Sequence, residues 1–560
     1  MPENAKQPIN NSRSVVRLPI FISVALVAGI WLGASFFGGN KNFNDISQSH
    51  LKFKEILQLI DKNYVDSVNT DELVDFSIQK MLEKLDPHTS YFNAKDAVAA
   101  RSQLEGGYDG IGIEFNLSRD TVQVVTPLSG GPSEAAGVLS GDKLIRVNGE
   151  PFTGKKIDNG FIYSKLRGKR GSEVKLEVLR QGNTNLLSFT VKRDRIATFS
   201  IDATYMIDRE TGYIKVNRFS ETTYDEFKTA IASLKAQGLK KLMLDLRGNP
   251  GGYMDRAYNM ADEFIGGDKL LVYTDGKDNR YDRQTRAQID GMFEEGAVVV
   301  LLDEGSASAS EIVAGALQDH DRALVVGRRS FGKGLVQMPI KLSDGSELRL
   351  TISRYYTPSG RSIQKPYEMG KGDEYEKDFK KRVSSGELYS GDSIKYNQKM
   401  KFKTDGGRPV FGGGGISPDV FVARDTSLMS TYLYQLWGKN TIREYALKYT
   451  NENRKKLEKQ GFEGFLKSFT VTDAMLAELL QAAASQQVKY NEKEYNRSKP
   501  YIRSQVKAFV GRYVWQKGQG GLNNEYYQVM SGLDNVYQQA LQQFKRADDL
   551  ARGKFVSEKE

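Results

Sequence analysis

The chain has 560 residues, of which 39% are hydrophobic and 27% charged, and its 80 basic and 70 acidic side chains give a net charge of +10. This length predicts several domains with ample buried core, and so mild a charge excess, without zinc-finger spacing or a basic zipper helix, argues against a nucleic-acid-binding protein. The sequence has no cysteine and only three histidines, which excludes disulfides, thiolate metal sites and cysteine nucleophiles and disfavours chemistry that depends on histidine.

The amino terminus contains an uncharged apolar run of 20 residues, from Leu18 to Phe37. A helix of this length, at about 1.5 Å per residue, spans a hydrocarbon core of roughly 30 Å. Basic residues precede the run and favour a cytoplasmic amino terminus. We therefore expect a cytoplasmic tail over 1–16 and a transmembrane signal anchor over 17–38, which would place the rest of the chain on the periplasmic side of the inner membrane. A cleaved signal peptide is the alternative.

The next segments predict a helical region and then a β domain. Apolar spacing over 39–96 indicates helices, one of them over 73–85. His88 follows in the loop DPHTSYF, where we interpret it as a turn residue. Over 97–193 short strand-like runs alternate with glycine turns, which predicts a compact module of short strands.

Strands and amphipathic helices alternate over 194–426, which is typical of a layered α/β domain. Within this domain, 366–408 is polar and predicts an insertion or a long surface loop. The pattern over 427–560 is helical and predicts a C-terminal helical domain. That domain is a candidate surface for a homo-oligomer or an adaptor protein.

Three serines alternate in GSASASE, between a buried strand-like run and a helix: Ser306, Ser308 and Ser310. A nucleophile benefits from such a position, because the helix start offers free N–H groups and a positive dipole end to a developing oxyanion. The same residues are also ordinary helix caps. The turn in DLRGNPGG offers further glycine N–H donors, although a plain strand-ending turn explains it equally well.

Lys333 lies between two glycines in FGKGLVQ, just before a predicted strand. Burial lowers the pKa of a lysine, and the neutral amine can deprotonate a hydroxyl. A solvated loop lysine is the alternative. Gln337 lies four residues further on, where it can hydrogen-bond the amine. A Ser–Lys pair would explain how a hydrolase manages without a catalytic histidine, and we interpret His320, a whole helix away from the serines, as non-catalytic.

Several segments together resemble the C-terminal processing peptidases, also called tail-specific proteases, over roughly residues 50–420. In chain order they are DPHTSYF, GIGIEF, DLRGNPGG, GSASASEI, ALVVGRRSFGKGLVQ, YYTPSGRSIQ and GGGGISPD. The resemblance implies a multidomain α/β protein with a crotonase-like protease core and a PDZ-type β domain before it. It implies a serine endopeptidase of the cell envelope that needs no metal or organic cofactor.

The resemblance also assigns roles in the site. Ser308 would be the nucleophile, Lys333 the general base and Gln337 the residue that orients the lysine, and the family's spacing of 25 residues between serine and lysine is met. The oxyanion donors would be the N–H of Ala309 and a glycine N–H of the NPGG turn. That glycine is either Gly251 or Gly252, and the sequence does not decide between them.

In the PDZ-type domain, the GIGI segment resembles a carboxylate-binding loop, whose backbone N–H groups capture the free C-terminus of a protein or peptide substrate. Its residues are Gly110, Ile111, Gly112 and Ile113. Arg167, in the basic stretch KLRGKRG, is a candidate gating residue that could touch the protease body and sense a bound peptide. An exposed basic turn is the alternative.

Two other functions remain open at this point. A catalytically silent PDZ scaffold or adaptor for envelope proteins would keep the domain order but not the cleavage. An acyl-CoA enzyme would share a crotonase-like order of strands and helices. The intact Ser, Lys and Gln set argues against the first, and the PDZ-like module and the expected membrane anchor argue against the second.

Overall fold

The structure is a computed structural model that describes residues 22–29, 41–102, 104–118, 120–128, 130–139, 141–154, 157–180, 182–516 and 522–554. The chain divides into two compact units, Met1–Met81 and Leu82–Glu560.

The first unit is helical where it is described. It contains a helix over 22–29, the helix Lys41–Asn63 and most of the helix Thr70–Leu82. The last of these begins three residues before the predicted 73–85. The reason is a cap that the apolar pattern does not show, because the side-chain oxygen of Asn69 accepts from the free N–H groups of the first turn.

The predicted anchor over 17–38 is described only at 22–29, and the remainder of that prediction lies outside the described residues. Among the described residues, no helix is both long enough and apolar enough to cross a membrane. This finding contradicts the predicted transmembrane helix and, with it, the predicted location in the inner membrane.

The predicted β domain is present in the second unit. Its main sheet has five strands in a spatial order that follows the chain: Ile113–Ser118, Thr121–Pro127, Lys143–Val147, Glu173–Leu179 and Leu187–Lys192. The short strand Glu150–Pro151 pairs with the third of these. Two helices, Pro132–Ala135 and Asn159–Leu166, complete the fold, and Gly107–Gly110 pairs with Asp194–Ala197 where the chain enters and leaves the domain. Strand Ile113–Ser118 lies at an edge of the main sheet.

The α/β core is built on a six-stranded sheet. Its strands in spatial order are Ile201–Met206, Thr211–Val216, Lys241–Asp245, Ala297–Leu302, Leu324–Gly327 and Val420–Phe421. The first pair is antiparallel and the others are parallel. The fully buried sequence AVVVLL is apolar at every position, because helices cover both faces of the sheet.

The two faces of this sheet have different partners. Alternate side chains such as Leu244 and Val300 pack on one face against three helices, Thr223–Ala236, Met254–Asp262 and Ala309–Asp319. Their neighbours, including Met243 and Val299, pack on the other face against residues of the last two helices, Asn535–Leu541 and Phe544–Ala551.

A second sheet contains Leu335–Lys341, the strand that follows Lys333 in the chain. Its central strand, Glu347–Tyr356, pairs with Leu335–Lys341 on one side and with Leu270–Gly276 and Ser90–Phe92 on the other. Strand Arg283–Arg286 extends it. The sheet thus joins the segment that follows the loop DPHTS to the segment that follows FGKG.

The segment 366–408 is more ordered than the predicted surface loop. It contains the helices Gly372–Glu376 and Asp378–Ser384, two single-turn 3-10 helices (Gly391–Ser393 and Gln398–Met400), and a strand, Lys401–Lys403, that pairs with Pro409–Phe411. It is ordered because a few of its side chains, Tyr375 and Leu388 among them, are buried despite the polar composition.

The predicted helical region over 427–560 has two parts. Five helices form a core of their own: Thr431–Gly438, Thr441–Gln460, Phe462–Ser468, Asp473–Ser485 and Glu492–Trp515. The helix Asn524–Met530 follows, and the last two helices belong to the α/β core instead. The mixed α/β class with a helical C-terminal region is confirmed, whereas the crotonase-like topology and the oligomer or adaptor surface stay predictions.

Arg361 provides a test of the core. Its guanidinium is fully buried and donates to Asp319 at 2.7 Å and to Gln318 at 2.8 Å. Replacing it (Arg361→Met) leaves the buried Asp319 carboxylate without its cation, which should cost about 3–5 kcal/mol of stability. The measurement is the midpoint of thermal unfolding. Lys240→Met, which breaks an exposed pair with Glu210, should barely change that midpoint, and equal midpoints for the two variants would contradict the expectation.

Candidate active site

Ser308 lies at the turn between the buried strand Ala297–Leu302 and the helix Ala309–Asp319. Its φ is 55°, a left-handed conformation that serine rarely adopts and that indicates backbone strain held at a special position. The residue is half-buried, and Ala309, the first residue of the helix, follows directly after it. A serine on such a strained strand–turn–helix elbow is well placed to act as a nucleophile.

The two neighbouring serines have structural roles. Both are fully buried, and the Ser306 hydroxyl donates to the carbonyl of Leu246 at 2.9 Å, while that of Ser310 donates to the carbonyl of Asn249 at 3.0 Å. These bonds fasten the serine turn to the turn of DLRGNPGG. Of the three serines, Ser308 alone is partly exposed.

Glu311, which sequence reasoning missed, connects the serine turn to the lysine loop. Its buried carboxylate accepts hydrogen bonds from the backbone N–H groups of Ser308 at 2.8 Å, Gly332 at 2.7 Å and Lys333 at 2.9 Å, and from the Ser330 hydroxyl at 2.5 Å. Burial raises the pKa of Glu311 to about 7, against the opposing effect of these donors. The capping-box spacing Ser-x-x-Glu is the pattern that could have pointed to it.

Tyr355 holds the same two segments from the other side. Its buried hydroxyl lies 2.6 Å from the carbonyl oxygen of Lys333 and 3.1 Å from that of Ser308. Its ring belongs to the central strand of the second sheet. The serine and lysine backbones are therefore held together at their N–H groups by one acid and at their carbonyls by one phenol.

Lys333 is partly buried, and both positive and negative side chains act on its ammonium group. Burial lowers the pKa of its ammonium below the usual value, and the positive charge of Arg349 adds to this shift. The negative charges of Glu311 and Asp86 oppose it. An amine in such a site loses its proton more readily than an exposed lysine does, as a general base requires.

Gln337 faces Thr351 across the second sheet. The two residues are register partners, and the Gln337 Nε2 donates to the Thr351 hydroxyl at 3.1 Å. The register shifts between Val336 and Gln337, so the regular alternation of side chains is interrupted at this point.

The three predicted catalytic residues are brought to the same region but are not hydrogen-bonded to one another in the described part of the chain. Ser308, Lys333 and Gln337 bond instead to Glu311, Tyr355 and Thr351. Catalytic contacts of this kind often tighten only when a substrate binds.

The glycine turn meets the serine turn closely enough to require glycine. A Cβ built on Gly251 would stand 2.7 Å from the Ser308 Cβ and 2.9 Å from the nitrogen of Ala309. The Gly251 N–H already donates to the Asn249 side chain at 2.9 Å, whereas no hydrogen bond between described residues uses that of Gly252. Of the two predicted glycine donors, Gly252 therefore has the available N–H, alongside Ala309 at the first position of its helix.

The predicted carboxylate-binding loop, 110–113, is anchored through its carbonyls. The carbonyl of Ile111 accepts from the Ser133 N–H at 3.0 Å and from its hydroxyl at 2.6 Å, and that of Gly112 accepts from the Leu128 N–H at 2.9 Å. The edge strand Ile113–Ser118 follows directly. A loop that leads into an edge strand can accept a peptide as an added strand, although Glu114 of this strand also accepts from Arg512 of the C-terminal helices.

Arg167 lies beside this loop. Its guanidinium stacks between the rings of Tyr108 and Tyr163, 4.2 Å and 4.6 Å from their centroids, and its Cγ would be 3.7 Å from a Cβ built on Gly110. These contacts lie within the β domain, so a role in sensing a peptide stays a prediction.

Two further residues near the site were not predicted from the sequence. His88 Nε2 lies 2.8 Å from the hydroxyl of Tyr375, a residue of the 366–408 segment, and their rings meet edge to face. Burial lowers the pKa of His88 to about 4, and the charge of Lys333 adds to the shift, so this loop adjoins the lysine. His320, by contrast, is held by Asp405 beyond the far end of the helix.

No group of histidine and carboxylate side chains suited to a metal ion occurs among the described residues.

Comparison with known families matches four parts of the chain. The profile of peptidase family S41 matches residues 210–370, that of the PDZ domain 110–192, and that of the activating protease CtpB N-terminal domain 36–96. A family of unknown function (DUF8443) matches 432–516, within the C-terminal helices.

The chain is also similar to individual proteins. The carboxy-terminal-processing protease of Bartonella bacilliformis is 34% identical over 353 residues, which cover 61% of this chain and 80% of that protein. The carboxy-terminal processing protease CtpA of Bacillus subtilis is 32% identical over 397 residues, covering 69% and 83%. Among solved structures, the photosystem II D1 C-terminal processing protease has 26% identity and a TM-score of 0.34, covering 67% of this chain and 94% of that one.

The raised pKa of Glu311 gives a test by pH. The folded state holds this proton up to about pH 7, whereas an unfolded glutamate releases it near pH 4.5, so the residue's contribution to stability is present at low pH and lost between these values. The loss is on the order of 3 kcal/mol.

The measurement is the unfolding midpoint from pH 4.5 to 8 for the wild type and for Glu311→Gln. The stability of the wild type relative to the variant should fall as pH rises. Taking the difference removes His88, whose lowered pKa acts with the opposite sign in both proteins. A difference that does not change with pH would contradict the expectation.

Proposed function

Because the chain belongs to the carboxy-terminal-processing proteases of peptidase family S41 and carries a PDZ domain, we propose that it is a serine endopeptidase with Ser308 as nucleophile and Lys333 as general base. The observation that carries this proposal is the arrangement around Glu311, which ties a strained, accessible serine to a partly buried lysine of lowered pKa.

The proposed reaction is acyl transfer. The neutral amine of Lys333 takes the proton from the Ser308 hydroxyl, and the serine oxygen attacks the scissile carbonyl carbon. The N–H groups of Ala309 and Gly252 hold the oxyanion that forms, and protonated Lys333 then gives its proton to the departing amine. Water, deprotonated by the same lysine, hydrolyses the acyl-enzyme and regenerates Ser308.

Substrate selection is proposed to lie in the PDZ domain. The loop 110–113 would bind the free carboxylate of a protein C-terminus, and the edge strand Ile113–Ser118 would pair with the residues before it. The names of the relatives, which refer to carboxy-terminal processing, support this class of substrate. The silent scaffold is not favoured, because the relatives are named as proteases and the chain keeps Ser308, Lys333 and Gln337.

We propose the domain limits 97–193 for the PDZ domain and 194–426 for the protease core, with helices on either side over 39–96 and 427–560. The last two helices, which pack on the core sheet, are best assigned to the protease core as well.

The first test is loss of cleavage. Ser308→Ala and Lys333→Met should each lower cleavage of an unfolded protein with a free C-terminus by at least about a hundredfold, because each removes a group that acts on the reacting atoms. Lys341→Ala, an exposed lysine on the strand that follows, is the matched control and should cleave normally. Cleavage by Ser308→Ala at the wild-type rate would refute the assignment of Ser308 as the nucleophile.

The second test concerns gating by Arg167. If this residue reports peptide binding to the protease core, Arg167→Ala should lower turnover while the affinity of the full chain for a C-terminal peptide, measured by fluorescence anisotropy, stays the same. Arg170→Ala removes an exposed arginine of the same stretch, paired with Asp194, and serves as the control. Unchanged turnover of Arg167→Ala would reject the gating role.

A further inference from the structure

The loop that precedes the second sheet has a carboxylate at its centre. Asp86 accepts the backbone N–H groups of His88 at 2.8 Å and Thr89 at 2.9 Å, and its other oxygen lies 2.5 Å from the Thr89 hydroxyl. A further bond leaves the loop, because the Thr351 hydroxyl donates to Asp86 at 3.1 Å. Asp86 thus accepts hydrogen bonds from its own loop and from the central strand of the second sheet.

The direction of the Thr351 hydroxyl follows from simple counting. A hydroxyl has one proton, and the Thr351 hydroxyl lies 3.1 Å from Asp86 and 3.2 Å from the Thr89 hydroxyl. A carboxylate is the stronger acceptor of the two, so we place the Thr351 proton on the bond to Asp86. The remaining lone pairs of Thr351 can then only accept, which means that Gln337 must offer its NH2 group at the 3.1 Å contact. The amide oxygen of Gln337 is left facing the other way.

We propose that Asp86 and Thr351 are positioning residues that fix the amide of Gln337 with its oxygen, rather than its nitrogen, available to the Lys333 amine. This inference rests on the proposed function for the role of Gln337. An amide in the reverse orientation would present two N–H donors to an ammonium, which can only donate. Without a fixed partner, the two orientations of a glutamine differ little in energy, so the chain Asp86–Thr351–Gln337 selects the productive one.

Asp86 also acts on Lys333 through its charge. The charged groups that influence the lysine are Glu311 from the serine helix, Arg349 from the central strand, and Asp86 from the loop, while His88 beside it stays neutral above about pH 4. Asp86 stabilises the ammonium form. Its removal should lower the pKa of Lys333 and move the acid limb of the pH–rate profile to lower pH.

The kinetic test is a double-mutant cycle. Thr351→Val, which keeps the shape but loses the hydroxyl, should lower kcat about tenfold, the effect of one hydrogen bond, with little change in KM. Thr351→Ser should restore it. In a Gln337→Ala background, Thr351→Val should have no further effect. Effects that multiply in the double variant would overturn the proposal, since Thr351 would then act independently of Gln337.

A second measurement does not depend on catalysis. In protein labelled with 13C-lysine, the ε-carbon of Lys333, assigned by Lys333→Arg, reports its pKa directly. Asp86→Asn should lower that pKa, whereas Asp344→Asn, the same charge change at the exposed turn of the adjoining hairpin, should not. In protein labelled with 15N-glutamine, Thr351→Val should shift the side-chain amide signal of Gln337, and Thr351→Ser should leave it in place.

The two measurements separate the possible failures. If the wild type cleaves nothing but both NMR results are as expected, the positioning chain stands and the peptidase assignment fails. If the wild type cleaves and the amide signal of Gln337 ignores Thr351, the assignment stands and the positioning chain is wrong. An unchanged Lys333 pKa in Asp86→Asn would refute the proposed effect of the Asp86 charge on the lysine.

Discussion

The buried carboxylate of Glu311 is the interaction on which the proposed site depends. Its two oxygens have about four lone-pair positions, and four donors occupy them: three backbone N–H groups and one hydroxyl. Each donor would be costly to bury alone. The carboxylate therefore determines how the serine turn and the lysine loop, 25 residues apart, lie against each other.

The segments around the Glu311 carboxylate come from distant parts of the chain, and each contributes a different group to the proposed site. The core sheet supplies the strained turn at Ser308, and the second sheet supplies Tyr355 and the pair of Gln337 and Thr351. The loop that contains Asp86 leads into strand Ser90–Phe92, which pairs with the central strand of the second sheet, and Asp86 accepts from Thr351 of that central strand. Burial in the middle of these layers lowers the pKa of Lys333, so the same packing that stabilises the fold also favours the neutral amine that the proposed mechanism requires.

Much of the architecture could be predicted from the sequence. The buried strands and the amphipathic helices have clear periodicity, and the joint order of the motifs singled out Ser308 and Lys333. Glu311 was missed because a glutamate in the first turn of a helix is an ordinary capping residue, and only the fold of the loop at 330–333 over it makes it buried.

Other features are decided by contacts that no local pattern encodes. His88 looked like a turn residue, because its partner Tyr375 lies 287 residues away in a segment whose polar composition predicted a surface loop. The preference for Gly252 over Gly251 as the proposed oxyanion donor depends on the Gly251 N–H, which donates to the Asn249 side chain. The helices after 535 have an apolar stripe, but a stripe does not say which surface it covers.

The packing of those last helices has a consequence for the order of events during synthesis. One apolar face of the core sheet, which includes Met243, Val299 and Val326, is covered by Tyr527 and by the last two helices in the described part of the chain. Until that part of the chain has been made, this apolar face stays exposed to water and to other proteins, a state prone to aggregation. The core of this sheet is thus complete only once the last two helices have been made, so a chain that stops before them would lack a finished core.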